Sequence, residues 1–221
     1  MSKAISFVGL DIRSLKPYSK SLLLIIIMCF GMGVGFKSVN TLTSYFMMSL
    51  TLIISYPFSI SETNGLETLY STLALNRRTV VVGRYLFVLV LELISAALAV
   101  IGSWALSLQI NAEFEIYEIL VTLSMLSGVV SIIVAVQFPI YFKYGYRKAR
   151  MLALAPLGVL ALVGMQLPNL AELLNLTFSW DSFFETLMSS NVMIIAPVIF
   201  GLLLMALSCI LSCGIYAKRD I

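Results

Sequence analysis

Six apolar runs dictate most of what this chain can become. Ser21 to Phe36, Thr41 to Ile60, Ile119 to Phe142, Met151 to Met165 and Val192 to Tyr216 contain no charged residue, and Val80 to Leu108 contains only Arg84 and Glu92. A helix needs about 20 predominantly apolar residues to cross the hydrocarbon of a bilayer, and each run approaches or exceeds that length. The composition agrees, since only 11% of the 221 residues are charged, against roughly 25% in a soluble domain. A water-soluble globule is thereby excluded. The expected fold is all-α and integral to the membrane, one domain over residues 1–221 with six transmembrane helices. The short first and fifth runs should extend into the interface or bend, and the long third run should tilt or pass beyond the bilayer.

Orientation follows from lysine and arginine, which gather in cytoplasmic loops. With the amino terminus inside, the inner segments hold Lys3, Arg13, Lys16, Lys20, Arg77, Arg78, Arg84, Lys143, Arg147, Lys148, Arg150, Lys218 and Arg219, and only Lys37 falls outside. Glu113, Glu115, Glu118, Glu172, Asp181 and Glu185 fall in outer loops. Both termini are therefore expected in the cytoplasm, and the partner of the bulk surface is the lipid bilayer. A net charge of +3 distributed this way gives no wet basic face, so no nucleic-acid partner is expected. The start resembles a secretory signal in having basic residues before an apolar run, but no A-x-A-like cleavage site follows and none is expected. Residues 1–20 mix Ile5, Phe7, Val8 and Leu10 with Lys3, Asp11 and Arg13, which reads as an amphipathic interfacial helix on the inner surface.

Chemistry is scarce. The chain has no histidine, and its three cysteines, Cys29, Cys209 and Cys213, lie inside apolar runs, so no metal centre or disulfide framework is expected. No nucleophile–base pair or pair of embedded acids suggests an active site, and no cofactor is expected in the chain. Gly31 to Lys37 looks superficially like a phosphate loop, but its spacing fails the Walker pattern. Gly31 and Gly35 instead form a G-x-x-x-G in a membrane helix, suited either to a face between copies or to packing within one chain. Glu92 is the one acid deep inside a span, about 12 Å along the helix from Arg84. An ionisable group at that depth needs a partner or water and is a functional candidate by default, its alternatives being a paired structural glutamate and a proton-coupling residue of a secondary transporter.

Two inner loops carry the most information. In the first, residues 61–79, Asn64 and Glu67 have capping-box spacing, and Leu66, Leu69, Tyr70 and Leu73 recur at i, i+3, i+4 and i+7. They spell a short amphipathic helix with one open apolar face, closed by Asn76-Arg77-Arg78. Such a face must be covered by lipid headgroups or by a partner's groove. In the second, Phe138-Pro139-Ile140-Tyr141-Phe142-Lys143-Tyr144-Gly145-Tyr146-Arg147-Lys148-Ala149-Arg150 joins the fourth and fifth runs across residues 143–150. Pro139 leaves a carbonyl one turn earlier without its amide donor, so a kink is expected there.

Together these loops resemble those of the small bacterial exporter permeases of the ATP-binding-cassette (ABC) type. There an acid, an Asn-Gly and a short helix lead to a Leu-Pro-Val-Ser-Arg stretch and a Gly-Lys-Tyr-like start of the third span. Here the matching residues are Glu62, Asn64-Gly65, Leu69, Leu73-Ala74-Leu75-Asn76-Arg77 and Gly83-Arg84-Tyr85. The second loop is similar to the family's Leu-Pro-Leu-Tyr-Phe-Lys-Phe-Gly-Tyr run, with Pro139, Tyr141, Lys143 and Gly145 at the matching positions. Ala74 and Asn76 depart from the usual Pro and Ser. The resemblance covers the whole chain and implies a permease without its own nucleotide site, coupled through the Leu66 to Leu73 helix to a separate ABC ATPase that holds ATP and Mg. It also implies a unit of two permeases, as a homodimer, plus two ATPases in the bacterial plasma membrane. Among relatives the pattern looks most like the exporters of amphipathic, phenol-soluble-modulin-type peptides; Met28, Met32, Tyr45, Phe46, Met47 and Met48 suit either a soft apolar wall for such cargo or packing within the bundle.

Overall fold

An apolar run in hydrocarbon has no water to satisfy its amides, so it must pair them internally, and a helix does so within one segment. The computed structural model describes residues 2–65, 76–110, 114–152, 158 and 192–218, and among them there is no strand. Helix α1 covers Ser2–Ser14, followed by a 3-10 turn at Lys16–Tyr18, α2 at Ser19–Phe36, α3 at Val39–Ile53, α4 at Tyr56–Thr63, α5 at Arg77–Ile110, α6 at Ile116–Tyr144 and α7 at Val192–Ala217. Five helical stretches among the described residues are long and apolar enough to cross a membrane: Phe7–Phe36, Val39–Thr63, Arg77–Ile110, Ile116–Tyr144 and Val192–Ala217. The protein is an integral membrane protein. The expected fifth span, Met151 to Met165, lies outside the described residues except for 151, 152 and 158, which are helical.

The ends of these helices follow local chemistry. Lys37 adopts a left-handed conformation (φ 49°) and its amide returns to Gly33 and Val34 carbonyls, closing α2. Ser38 then caps α3, accepting the Thr41 amide at 3.3 Å, so two residues suffice for the reversal. The second apolar run was expected to be one helix but is two. Pro57 sits in the first turn of α4, where its missing N–H cannot extend α3, and the chain bends at Ile54–Ser55. Helix α5, with 34 residues, is about 51 Å long, well beyond a hydrocarbon thickness of about 30 Å, as its apolar run required.

Contacts between helix ends define two poles. Asn40 donates to Glu118 at 3.1 Å, bringing the α2–α3 turn beside the start of α6. At the opposite pole the end of α4, the start of α5 and the end of α7 meet, as described below. This second pole carries Lys16, Lys20, Arg77, Arg78, Lys143 and Arg147, and is called here the basic end. Helix α2 is largely exposed, presenting Leu23, Leu24, Ile27 and Met28 outward, the surface expected of a helix bathed in lipid.

Helices α6 and α7 share the most extensive packing interface among the described residues, and prolines organise it. Pro139 in α6 removes the amide that would serve the Ala135 carbonyl, and Ser208 of α7 donates its hydroxyl to that carbonyl at 2.7 Å. Pro197 in α7 likewise orphans the Met193 carbonyl, and the Ser124 hydroxyl of α6 lies 3.3 Å from it and 2.6 Å from the Ile194 carbonyl. Each helix thus repairs the proline defect of the other. Close approach is secured by Gly128, where a Cβ would stand 3.2 Å from the Pro197 ring, and by Gly201, where it would stand 2.7 Å from Ser131 Oγ.

Tyr85 of α5 ties this pair into the bundle, with its hydroxyl 2.7 Å from Ser208 Oγ and 2.9 Å from Ser212 Oγ. A hydroxyl has one proton to give. Because Ser208 spends its proton on Ala135, Tyr85 donates to Ser208 and Ser212 donates to Tyr85. A directed chain of three hydroxyls therefore ends on the backbone carbonyl.

Candidate functional site

The basic end is assembled around the second turn of α5. Arg84 is buried there, its Nε 3.2 Å from Asp11 Oδ2, with side chains 3% and 4% exposed. Its Nη2 donates to Ser61 Oγ of α4, and the guanidinium lies 4.5 Å from the centre of the Phe58 ring and 5.9 Å from that of Phe7. A buried ion pair persists where further hydrogen bonds and close contacts offset its desolvation, and cation–π contact adds to that. Gly83 makes room: a Cβ there would stand 2.6 Å from Phe7 Cδ1. Helix α1 is therefore docked on α5 through Phe7, Val8, Asp11 and Leu15, all buried.

Ser61 lies in the last turn of α4, one residue before Glu62, and Glu62 reaches the second loop. Its carboxylate accepts the Arg147 amide at 2.9 Å. Gly145, at φ 75°, terminates α6, and residues 146–152 begin a new helix, so the Glu62 charge sits at the positive N-terminus of that helix. On the far side of the first loop, Arg77 donates to the carbonyls of Tyr216 and Ala217, each at 3.2 Å, where a cation is favoured at the C-terminus of α7. Asn76 caps α5, its Oδ1 accepting the Arg78 amide at 3.3 Å. Asparagine is among the strongest N-cap residues.

Aromatic rings fill the space between. Phe58 packs against Phe138, Tyr141 and Phe142 with centroids 4.9, 5.1 and 5.1 Å away. Phe142 continues to Tyr216 at 5.2 Å and Tyr141 to Tyr146 at 5.6 Å. Both ends of the first loop and the whole start of the second are thus anchored on one aromatic and charged cluster.

The family model of the ABC-2 family transporter proteins matches residues 8–217, from α1 to the end of α7. The chain belongs to the ABC-2 transporter family. It is accordingly a membrane-embedded permease of the ABC type, and the family in general works with an ABC ATPase. No curated protein and no solved structure matches it.

Within this ABC-2 permease, Glu62, Arg77, Tyr141, Gly145 and Arg147 come together as described, whereas Lys143 is exposed beside the Tyr144 ring. Leu66, Glu67, Leu69, Tyr70 and Leu73 lie outside the described residues. Asn64 also ends α4, while the helix that it was expected to cap lies outside the described residues. Its amide donates to Ile60 at 3.0 Å and closes α4, with Gly65 following at φ 61°.

Glu92 is buried on α5, and Ser127 of α6 lies 3.4 Å from its Oε2. No basic side chain pairs with it among the described residues. No described neighbour lies within 4 Å of a Cβ built at Gly31 or Gly35, while one at Gly33 would meet Leu42 Cβ at 2.7 Å. Close packing of α2 within the chain thus runs through Gly33, between the two glycines of the motif. Of the methionine-rich wall, Phe46 and Met47 belong to the core, whereas Met28 and Met48 face outward.

The Asp11–Arg84 pair was not anticipated from sequence. Asp11 reads as part of a polar face, yet it lies at i+4 from Phe7, i+3 from Val8 and i−4 from Leu15. An acid in the middle of an apolar stripe was the available signal.

Proposed function

We propose that this ABC-2 permease is the transmembrane half of an exporter that carries amphipathic peptides or similar hydrophobic cargo out of a bacterial cell. The basic end faces the cytoplasm, and the segment 61–79 is the coupling loop through which a separate ATPase drives the permease. The observation that carries this reading is the Glu62–Arg147 contact. It links the first loop to the second, and with Arg77 on the end of α7 a push on the loop reaches α4, α5, α6 and α7 together. A loop meant only to connect two spans has no need of such anchorage. The permease binds no nucleotide itself, ATP and Mg belonging to the ATPase, and two copies with two ATPases make the working unit, with both termini in the cytoplasm.

The test is co-purification in mild detergent with the ATPase encoded beside it. Leu69→Asp with Leu73→Asp should abolish ATPase binding while leaving the permease folded. Retention of the complex by that variant would refute the coupling role. A second reading, an ion-coupled secondary transporter, draws on the buried Glu92, which has no basic partner among the described residues. Glu92→Gln should leave ATP-driven transport largely intact under the first reading and abolish transport under the second.

A further inference from the structure

Arg84 still has a donor to place. Its Nε faces Asp11 and its Nη2 donates to Ser61, but Nη1, on a side chain only 3% exposed, has no hydrogen-bond partner among the described residues. A charged donor left so in the interior loses its hydration with nothing in return. Arg84 also lines a cavity of about 20 Å³, together with Ser61, Glu62, Tyr141, Gly145 and Tyr146. Of the described lining residues only Glu62 and Tyr146 are not buried, so the cavity communicates with the basic end between those two side chains.

Size and charge choose the occupant. A water needs about 10–15 Å³ of such a cavity, so this one takes a single molecule. A cation would face the unpartnered protons of Arg84, and an anion would be pressed against the Glu62 carboxylate, so the occupant is neutral. It has to accept from Nη1 and donate to a carboxylate, and water does both. Ser61 cannot supply the second proton, because its own goes to the Pro57 carbonyl at 2.7 Å. Glu62 can take a further bond, since an ionised carboxylate offers about four acceptor sites and the Arg147 amide uses one. We infer that the cavity is the site of one ordered water that accepts from Arg84 Nη1 and donates to the Glu62 carboxylate. Arg84 is thereby a positioning residue for Glu62, and a continuous polar path runs from Asp11 on α1 through Arg84, the water and Glu62 to the Arg147 amide. The site does not rest on the coupling reading, since no step of transport enters it.

A crystal of the full chain grown from a lipid mesophase, at a resolution that shows ordered waters, tests the site directly. Expected is one density peak about 2.7–3.2 Å from both Arg84 Nη1 and a Glu62 oxygen. An empty cavity, or Glu62 turned directly onto Arg84, would overturn the inference. So would an anomalous peak at that point after a bromide soak, which would make it an anion site. Hydrogen–deuterium exchange on the full chain in lipid nanodiscs tests the path to the second loop. Val80 is buried on the cavity wall, and Val80→Ile adds a methylene close to the volume of a water. It should speed exchange at the Arg147 amide about fivefold while amides in the middle of α5 keep their rates, whereas Val80→Thr, of the same volume as valine, should keep the slow exchange. Equal rates in the wild type and Val80→Ile would overturn the positioning role of Arg84. A Val80→Thr variant as fast as Val80→Ile would do the same, because an apolar contact of Val80, and not the water, would then be what holds Glu62.

Discussion

Ser208 donates its hydroxyl to the carbonyl of Ala135 at 2.7 Å, the very acceptor that Pro139 deprives of its amide. Ser208→Ala should therefore destabilise the protein by about 1–2 kcal/mol, read as a lower unfolding midpoint in detergent. Pro139→Ala restores an amide to that carbonyl, so in its background the cost of Ser208→Ala should shrink by about 1 kcal/mol. Strictly additive effects would mean that the serine does not repair the proline defect.

Removing one member of the Asp11–Arg84 pair leaves a buried charge alone. Asp11→Asn or Arg84→Gln should each cost about 3–5 kcal/mol, whereas Asp11→Leu combined with Arg84→Met should cost much less than the sum. Thermal unfolding of the three variants decides it, and a double variant as damaged as the sum of the singles would count against an ion pair.

The two kinds of glycine in α2 should behave differently. Gly33→Ala drives a methyl into Leu42 and should cost about 1–3 kcal/mol, while Gly31→Ala meets no described neighbour and should leave monomer stability within about 0.5 kcal/mol. A chemical-denaturation series in one detergent compares them directly.

Much of the architecture was legible because hydrocarbon permits so few solutions. The limits of α5, α6 and α7 fall within three residues of the apolar runs that announced them, and the poles of the bundle follow the lysines and arginines. What escaped were relations between distant residues. Pro57 divides the second span because its ring acts on the turn before it, a local signal that was present but outweighed by the length of the run. Pro139 gave away a carbonyl without its amide, yet nothing in sequence pairs it with Ser208, because serine is common in membrane helices and only packing selects one. Arg84 looked like one more inner positive charge; its burial depends on Asp11 and on the space at Gly83, which only the docking of α1 brings together.

At the candidate site, Glu62→Ala should loosen the second loop without unfolding the bundle. The expected outcome is faster hydrogen exchange at the amides of Tyr146 and Arg147 together with reduced transport-coupled ATPase activity. Glu62→Asp, too short to reach the Arg147 amide, should mimic it. Exchange that stays as slow as in the wild type would show that the helix at 146–152 is capped by other means.

The burial of Asp11 against Arg84 also sets an order of events during synthesis. A chain leaves the ribosome from its amino end, so α1 exists before its docking surface on α5 has been made, with its carboxylate still in want of a cation. Until α5 is inserted, the apolar stripe of α1 has only the membrane surface to rest on. Helix α1 can therefore reach its final place only after the third apolar run has entered the bilayer, and arrest of translation before Arg84 should leave α1 open to protease while arrest beyond α5 should protect it.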